Sequence, residues 1–209
     1  MSQTIQTLSH IHRFVPGSAN DEAPLLLLHG TGGDENDLLG LGAALAPGVA
    51  LLSPRGQVLE KGMPRFFRRL AEGVFDEADV VARAGALARF VDEARDRYGL
   101  AAPVAVGFSN GANIAAALLM GEPAVLAGAV LIRPMVPLAA PPRFDLEGKP
   151  VLILSGAGDP IVPAENARRL AAILEEGGAE LRHEVLPVGH GLTQMDLTLA
   201  RRWLEASGL

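Results

Sequence analysis

Val104-Ala105-Val106-Gly107-Phe108-Ser109-Asn110-Gly111-Ala112-Asn113-Ile114-Ala115-Ala116-Ala117-Leu118-Leu119-Met120 is the stretch that decides how this chain folds. Its first residues form a short apolar run that predicts a buried strand, Val104–Phe108. The alanines and leucines after Ser109 are strong helix formers and predict a helix over Asn110–Met120. Between them, Gly107-Phe108-Ser109-Asn110-Gly111 matches G-x-S-x-G in the strand–turn–helix context that makes the pattern informative. A backbone that reverses this sharply needs neighbours without a Cβ, and strain in the turn lifts the Ser109 hydroxyl clear of the sheet. The helix amino terminus behind it adds partial positive charge for a developing oxyanion. Ser109 is therefore the candidate nucleophile.

The same alternation continues outward in both directions. Upstream, Ile5–Val15 reads as a strand ended by Pro16-Gly17, and Leu25–His29 as a continuously apolar strand. Asp34 is the expected N-cap of a helix through about Ala46, followed by a strand over Val49–Ser53. The segment from Gly56 to Asp76 shows no periodicity. Asp79–Tyr98 has helical spacing, with Val80, Ala84, Leu87 and Val91 on one face and Gly99 as the stop. Downstream, Ala129–Ile132, Val151–Leu154 and Leu181–Leu186 read as strands, and Pro163–Leu174 and Leu192–Ala206 as helices. Strand–helix alternation implies an α/β class chain: a mostly parallel sheet with right-handed crossovers, whose site forms at the carboxyl ends of the strands.

Composition agrees. The 209 residues are 49% apolar but only 4% aromatic, so Leu, Ala and Val must fill the core of what reads as one domain, residues 1–209. A formal charge of −6 argues against a nucleic-acid partner, whose phosphates need clustered Lys and Arg. The absence of cysteine excludes disulfides, thiolate metal sites and a Cys nucleophile. Met1-Ser2-Gln3-Thr4 lacks the basic start and apolar core of a secretory signal, and no apolar run approaches bilayer length. The expectation is a cytoplasmic chain without stable membrane association. A homodimer is left open, since no interface is readable.

A serine nucleophile of this kind takes its acid and base from further along the chain, in the order Ser, Asp or Glu, His. Only His183 and His190 follow Ser109. His183 lies inside an alternating strand, whereas His190 lies beyond its carboxyl end between Gly189 and Gly191, which let the loop approach closely. His190 is the expected base, since an imidazole takes a proton near neutral pH. Asp159 follows the Val151–Leu154 strand through Ser155-Gly156-Ala157-Gly158. Asp145 and Glu147 precede that strand, and Glu165, Glu175 and Glu176 fall on the next helix. Asp159 is thus the expected orienting acid, although aspartate in such a turn also serves as a cap.

His29-Gly30-Thr31-Gly32-Gly33 ends the second strand, and its glycines let backbone amides converge. The amides of Thr31 and Asn110 are the expected oxyanion donors. His29, out of order for the base, is expected to hold this loop by hydrogen bonding. A phosphate cradle is disfavoured: no G-K-[ST] or G-x-G-x-x-G follows, and Asp34 and Glu35 would repel the anion.

Several segments together resemble the phospholipase/carboxylesterase branch of the α/β-hydrolases, which includes acyl-protein thioesterases. The closer likeness is to small bacterial carboxylesterases of the hydroquinone-inducible hydrolase type. The matching stretches are residues 28–38, Ser53-Pro54-Arg55-Gly56, Met63-Pro64-Arg65-Phe66-Phe67, residues 107–113, Arg133-Pro134-Met135-Val136-Pro137, residues 158–163 and Gly189-His190-Gly191-Leu192. The resemblance implies an α/β-hydrolase fold with helices on both faces of the sheet and a minimal lid. It implies an esterase or thioesterase needing no metal or cofactor, acting on a small-molecule ester. It also implies the same Ser109, Asp159 and His190. Acyl-protein thioesterases carry Gln where this chain has Asn110, and lack the basic residues of Arg65-Phe66-Phe67-Arg68-Arg69-Leu70. A long-acyl, membrane-recruited substrate does not carry over.

Met63, Phe66, Phe67 and Met135 are candidates for an apolar substrate pocket, with packing of the loop as the alternative for each. Arg65, Arg68 and Arg69 suit a salt-bridged face better than a substrate carboxylate. Two other functions stay open: a silent small-molecule binder on the same fold, and acyl transfer to an acceptor other than water.

Overall fold

The computed structural model describes residues 8–18 and 22–208. Chain order runs β1 (His12–Val15), β2 (Leu25–Leu28), α1 (Leu39–Leu45), β3 (Leu51–Pro54), β4 (Val58–Glu60), β5 (Met63–Arg65), β6 (Arg69–Ala71) and β7 (Val74–Phe75). It continues through α2 (Glu77–Tyr98), β8 (Val104–Phe108), α3 (Asn110–Gly121), β9 (Gly128–Ile132), β10 (Pro150–Gly156), α4 (Ala164–Glu176), β11 (Glu180–Leu186) and α5 (Gln194–Ser207). Among the described residues seven strands form one sheet in the order β1-β3-β2-β8-β9-β10-β11. All neighbours are parallel except β1, which runs antiparallel to β3 at the edge.

The central strands are apolar on both faces because both faces are covered. Leu26, Leu28, Ala105, Ala129, Leu131, Val151 and Ile153 point to one side, against α2, α3 and α4. Leu25, Leu27, Val104, Val106, Val130, Ile132, Leu152 and Leu154 point to the other, where Leu45 of α1 and Ala200, Trp203 and Leu204 of α5 meet them. Alternation with period two thus serves two cores at once. Helix α3 is buried along its length apart from Gly121 at its end, as its apolar sequence requires. Among the described residues no helix is long and apolar enough to cross a membrane.

Element boundaries depart from expectation where side chains intervene. The strand expected over Ile5–Val15 is only His12–Val15 within the described residues, because its partner β3 offers four residues to pair with; residues 5–7 lie outside the described residues. The helix expected from Asp34 begins five residues later, at Leu39. Asp34 caps a turn instead, accepting the Asn36 amide at 2.8 Å, while Arg55 draws Glu35 aside with bonds of 2.5 and 2.8 Å. The strand expected over Val49–Ser53 is shifted to Leu51–Pro54. Helix α2 starts earlier than Asp79, since the Asp76 side chain accepts the Asp79 amide. The segment read as irregular holds two hairpins, β4-β5 and β6-β7.

Candidate active site

At the end of β8 the chain turns into α3 through Ser109, whose φ of 51° lies in the left-handed region that side chains rarely adopt. Packing forces this turn close. A Cβ on Gly111 would lie 1.9 Å from the Leu28 carbonyl oxygen, and one on Gly107 would lie 2.5 Å from the Gly111 oxygen. The two glycines let α3 begin directly against the end of β2, and the geometry leaves Ser109 half-exposed above the sheet.

His190 and Asp159 arrive from the loops after β11 and β10. Ser109 Oγ lies 3.0 Å from His190 Nε2, and His190 Nδ1 lies 2.8 Å from Asp159 Oδ2. The Asp159 carboxylate is fully buried, and its other oxygen accepts the amides of Ile161 and Val162 at 2.8 and 3.0 Å. Burial by itself would raise the Asp159 pKa. The two amides and the imidazole outweigh it and hold the carboxyl below its ordinary value. His183, the other histidine after Ser109, instead faces Ser155, 2.5 Å from its hydroxyl.

The loop after β2 forms the adjacent wall. His29 Nδ1 donates to the Gly30 carbonyl at 2.7 Å, and its Nε2 accepts the Gly56 amide at 2.9 Å. Both bonds suit a neutral ring, and burial lowers the His29 pKa. His29 therefore ties the glycine loop to the segment after β3. The Gly32 amide donates to Pro64, and Thr31 Oγ1 accepts from Arg65 Nη1 at 2.6 Å.

Ser109 and His190 open onto a cleft of about 330 Å³. Thr31, Asn110 and Met135 line it, joined by Phe75, Phe108, Ile161 and Val162. Met63, Phe66 and Phe67 do not. Met63 is exposed beside Gly32; Phe66 packs on the His29 ring, with centroids 4.7 Å apart; Phe67 is wholly buried against Phe75. The two phenylalanines build the wall from behind. Of the three arginines, Arg68 pairs with Asp76 and is exposed, whereas Arg69 bridges Glu60 and Glu72 and ties the hairpins together. Arg65 is no surface residue: it is 2% exposed, lies 3.3 Å from Glu60 and borders the cleft. These hairpins flank the mouth, and no helix interrupts residues 55–76.

Two side-chain roles are not legible in the sequence, where Asn110 is expected to act through its backbone amide alone. Asn110 Oδ1 accepts the Phe66 amide at 2.7 Å, and Asn113 Oδ1, one turn later, accepts the Met135 amide at 2.7 Å. Each pins a loop of the cleft to the helix behind Ser109. The available signal was two asparagines three residues apart in an otherwise apolar helix.

No family model matches the chain. It is 49% identical over 183 residues to "Putative hydrolase MhqD" of Bacillus subtilis (strain 168), a match spanning 87% of this chain and 92% of that protein. Among solved structures, a Bacillus cereus carboxylesterase superposes with a TM-score of 0.93 at 44% identity, covering 95% of each chain. A Mesorhizobium loti carboxylesterase does so with a TM-score of 0.91 at 32% identity, covering 96% of this chain and 97% of that one.

Proposed function

The chain belongs to the carboxylesterase family of α/β-hydrolases and is a carboxylesterase-type hydrolase, and from that premise we propose that it cleaves small carboxylic esters through an acyl-enzyme on Ser109. The observation that carries this reading is the unbroken contact from hydroxyl to imidazole to carboxylate, 3.0 and 2.8 Å, at the cleft.

Ser109 Oγ attacks the ester carbonyl as its proton passes to His190 Nε2. Asp159 holds the Nδ1–H tautomer, which leaves Nε2 free to accept, and stabilises the imidazolium that forms. The tetrahedral oxyanion lies toward the Thr31 and Asn110 amides. Asn110 opens α3, where an amide has no acceptor within the helix, and Arg65 steadies the Thr31 side chain. One such donor is worth roughly 3 kcal/mol in the transition state. His190 then protonates the leaving alkoxide, and water activated by the same ring releases the acid.

A cleft of about 330 Å³ stands at the lower end of the size range of small-ligand pockets. Met135, Phe75, Ile161 and Val162 supply its apolar surface. This supports short acyl groups. Hydrolysis of p-nitrophenyl acetate, butyrate and palmitate tests the reading: the short esters should turn over with higher kcat/KM than the palmitate. Absence of turnover with all three would instead favour a silent binder.

A further inference from the structure

Arg133 follows β9, and its side chain is wholly buried. A guanidinium has five N–H donors, and here each is used. Nη1 and Nη2 grip the two oxygens of Asp196 at 2.8 and 2.9 Å. Nη1 also donates to the Leu154 carbonyl at 3.1 Å. The remaining donors go to the residues on either side of His190: Nε to the Gly189 carbonyl at 2.9 Å and Nη2 to the Gly191 carbonyl at 3.3 Å.

Those two glycines explain the need. Close approach does not require them, since a Cβ on Gly191 would meet nothing within 4 Å and one on Gly189 only the Gly158 oxygen at 3.8 Å. But they have no side chains to pack, and their backbone is the freest of any residue to wander. Left alone, they would give His190 many orientations. The planar fork of Arg133 fixes the carbonyl before the histidine and the carbonyl after it. Asp196 in turn is the third residue of α5 and accepts both the amide and the hydroxyl of Thr193, so the clamp is anchored in a helix start. Arg133 itself sits at a φ of 56°, a strained conformation that persists only where surroundings over-determine it. Asp196 neutralises the guanidinium, so what it delivers to the site is geometry rather than charge.

We propose that Arg133, held by Asp196, is the positioning residue for the catalytic base: it sets the aim of His190 Nε2 at Ser109 through the two flanking carbonyls. The proposal rests on the reading of His190 as the base. Lysine keeps the charge for Asp196 but has three donors and no fork, so it cannot hold both carbonyls.

The test is a double-mutant cycle on p-nitrophenyl acetate hydrolysis with Arg133→Lys, His190→Ala and the combination. Folding is monitored by thermal melting. Arg133→Lys should lower kcat roughly tenfold or more with KM within about threefold, because misplacement of a catalytic group costs rate rather than binding. In the His190→Ala background the same change should alter the residual rate by less than about twofold, since there is no imidazole left to aim. An Arg133→Lys enzyme within twofold of the parent overturns the proposal, as does an equal loss in both backgrounds, the mark of general structural damage. Should Arg133→Lys not fold, Arg133→Met/Asp196→Leu removes both buried charges together and is read against the same thresholds. Full turnover by His190→Ala alone would refute the base assignment itself, a result separable from the others.

Discussion

Asp159 divides its carboxylate between structure and site: one oxygen accepts the Ile161 and Val162 amides, and the other lies 2.8 Å from His190 Nδ1. The cap that aspartate forms in many turns and the orienting contact with histidine are here properties of a single side chain. The turn amides hold the carboxylate in the place where the imidazole meets it.

Asp159→Asn separates the two duties. The Asn carbonyl oxygen can still accept the turn amides, so the fold should survive, while the contact with Nδ1 no longer selects the productive tautomer. We expect kcat for p-nitrophenyl acetate to fall by about 10³-fold or more. The substitution should also change stability with pH. Because the folded-state pKa of Asp159 is depressed, its ionised form contributes stability above the unfolded value of 3.8 and loses it as pH falls through the lower folded value. The difference in melting temperature between the parent and Asp159→Asn should therefore shrink as pH is taken from 7 to below 4.

Histidines other than His190 add a second pH dependence. His10 packs on Phe90, and burial, with the nearby charges of His12 and Arg83, lowers its pKa to about 4. A lowered histidine is neutral in the folded state while the unfolded chain takes up a proton near 6.5, so stability is lost as pH falls from 6.5 toward 4. Burial shifts His29 and His183 the same way. Thermal melts from pH 7 to 4 should show a falling Tm, and His10→Phe, which keeps an aromatic ring on Phe90, should fall less steeply. Parallel curves would contradict the assignment.

Close packing behind Ser109 predicts unequal fates for two glycines. A methyl group on Gly111 meets the Leu28 backbone, which cannot yield cheaply, whereas one on Gly40 in α1 meets nothing within 4 Å. Gly111→Ala should destabilise by about 3 kcal/mol or more, or fail to fold. Gly40→Ala should stabilise by roughly 0.5–1 kcal/mol through helix propensity. Urea unfolding measures both.

Much of this arrangement is written in local sequence, and the rest is not, for identifiable reasons. The strands β2, β8, β9 and β10 are continuous apolar runs, ended by glycine-rich turns except for β9, which Arg133-Pro134 ends, so their existence and their common parallel direction can be read directly. The order Ser109, Asp159, His190 singles out three side chains that the fold then brings into contact. Hairpins β4-β5 and β6-β7 are two or three residues per strand, too short for any periodicity to register. Phe66 and Phe67 look like pocket aromatics because nothing local reveals that His29 and Phe75 cover them. Asn110, Asn113 and Arg133 act on backbone groups 21 to 58 residues away, a relation that leaves no local pattern.

The central claim is that Ser109 forms the covalent bond. Mass spectrometry after treatment with a fluorophosphonate tests it directly, with peptide mapping to place the label. A single adduct on Ser109 is predicted, absent in Ser109→Ala, which should also lose ester turnover by roughly 10³-fold or more. An adduct on another residue, or a Ser109→Ala enzyme that hydrolyses p-nitrophenyl acetate at the parent rate, would contradict the account.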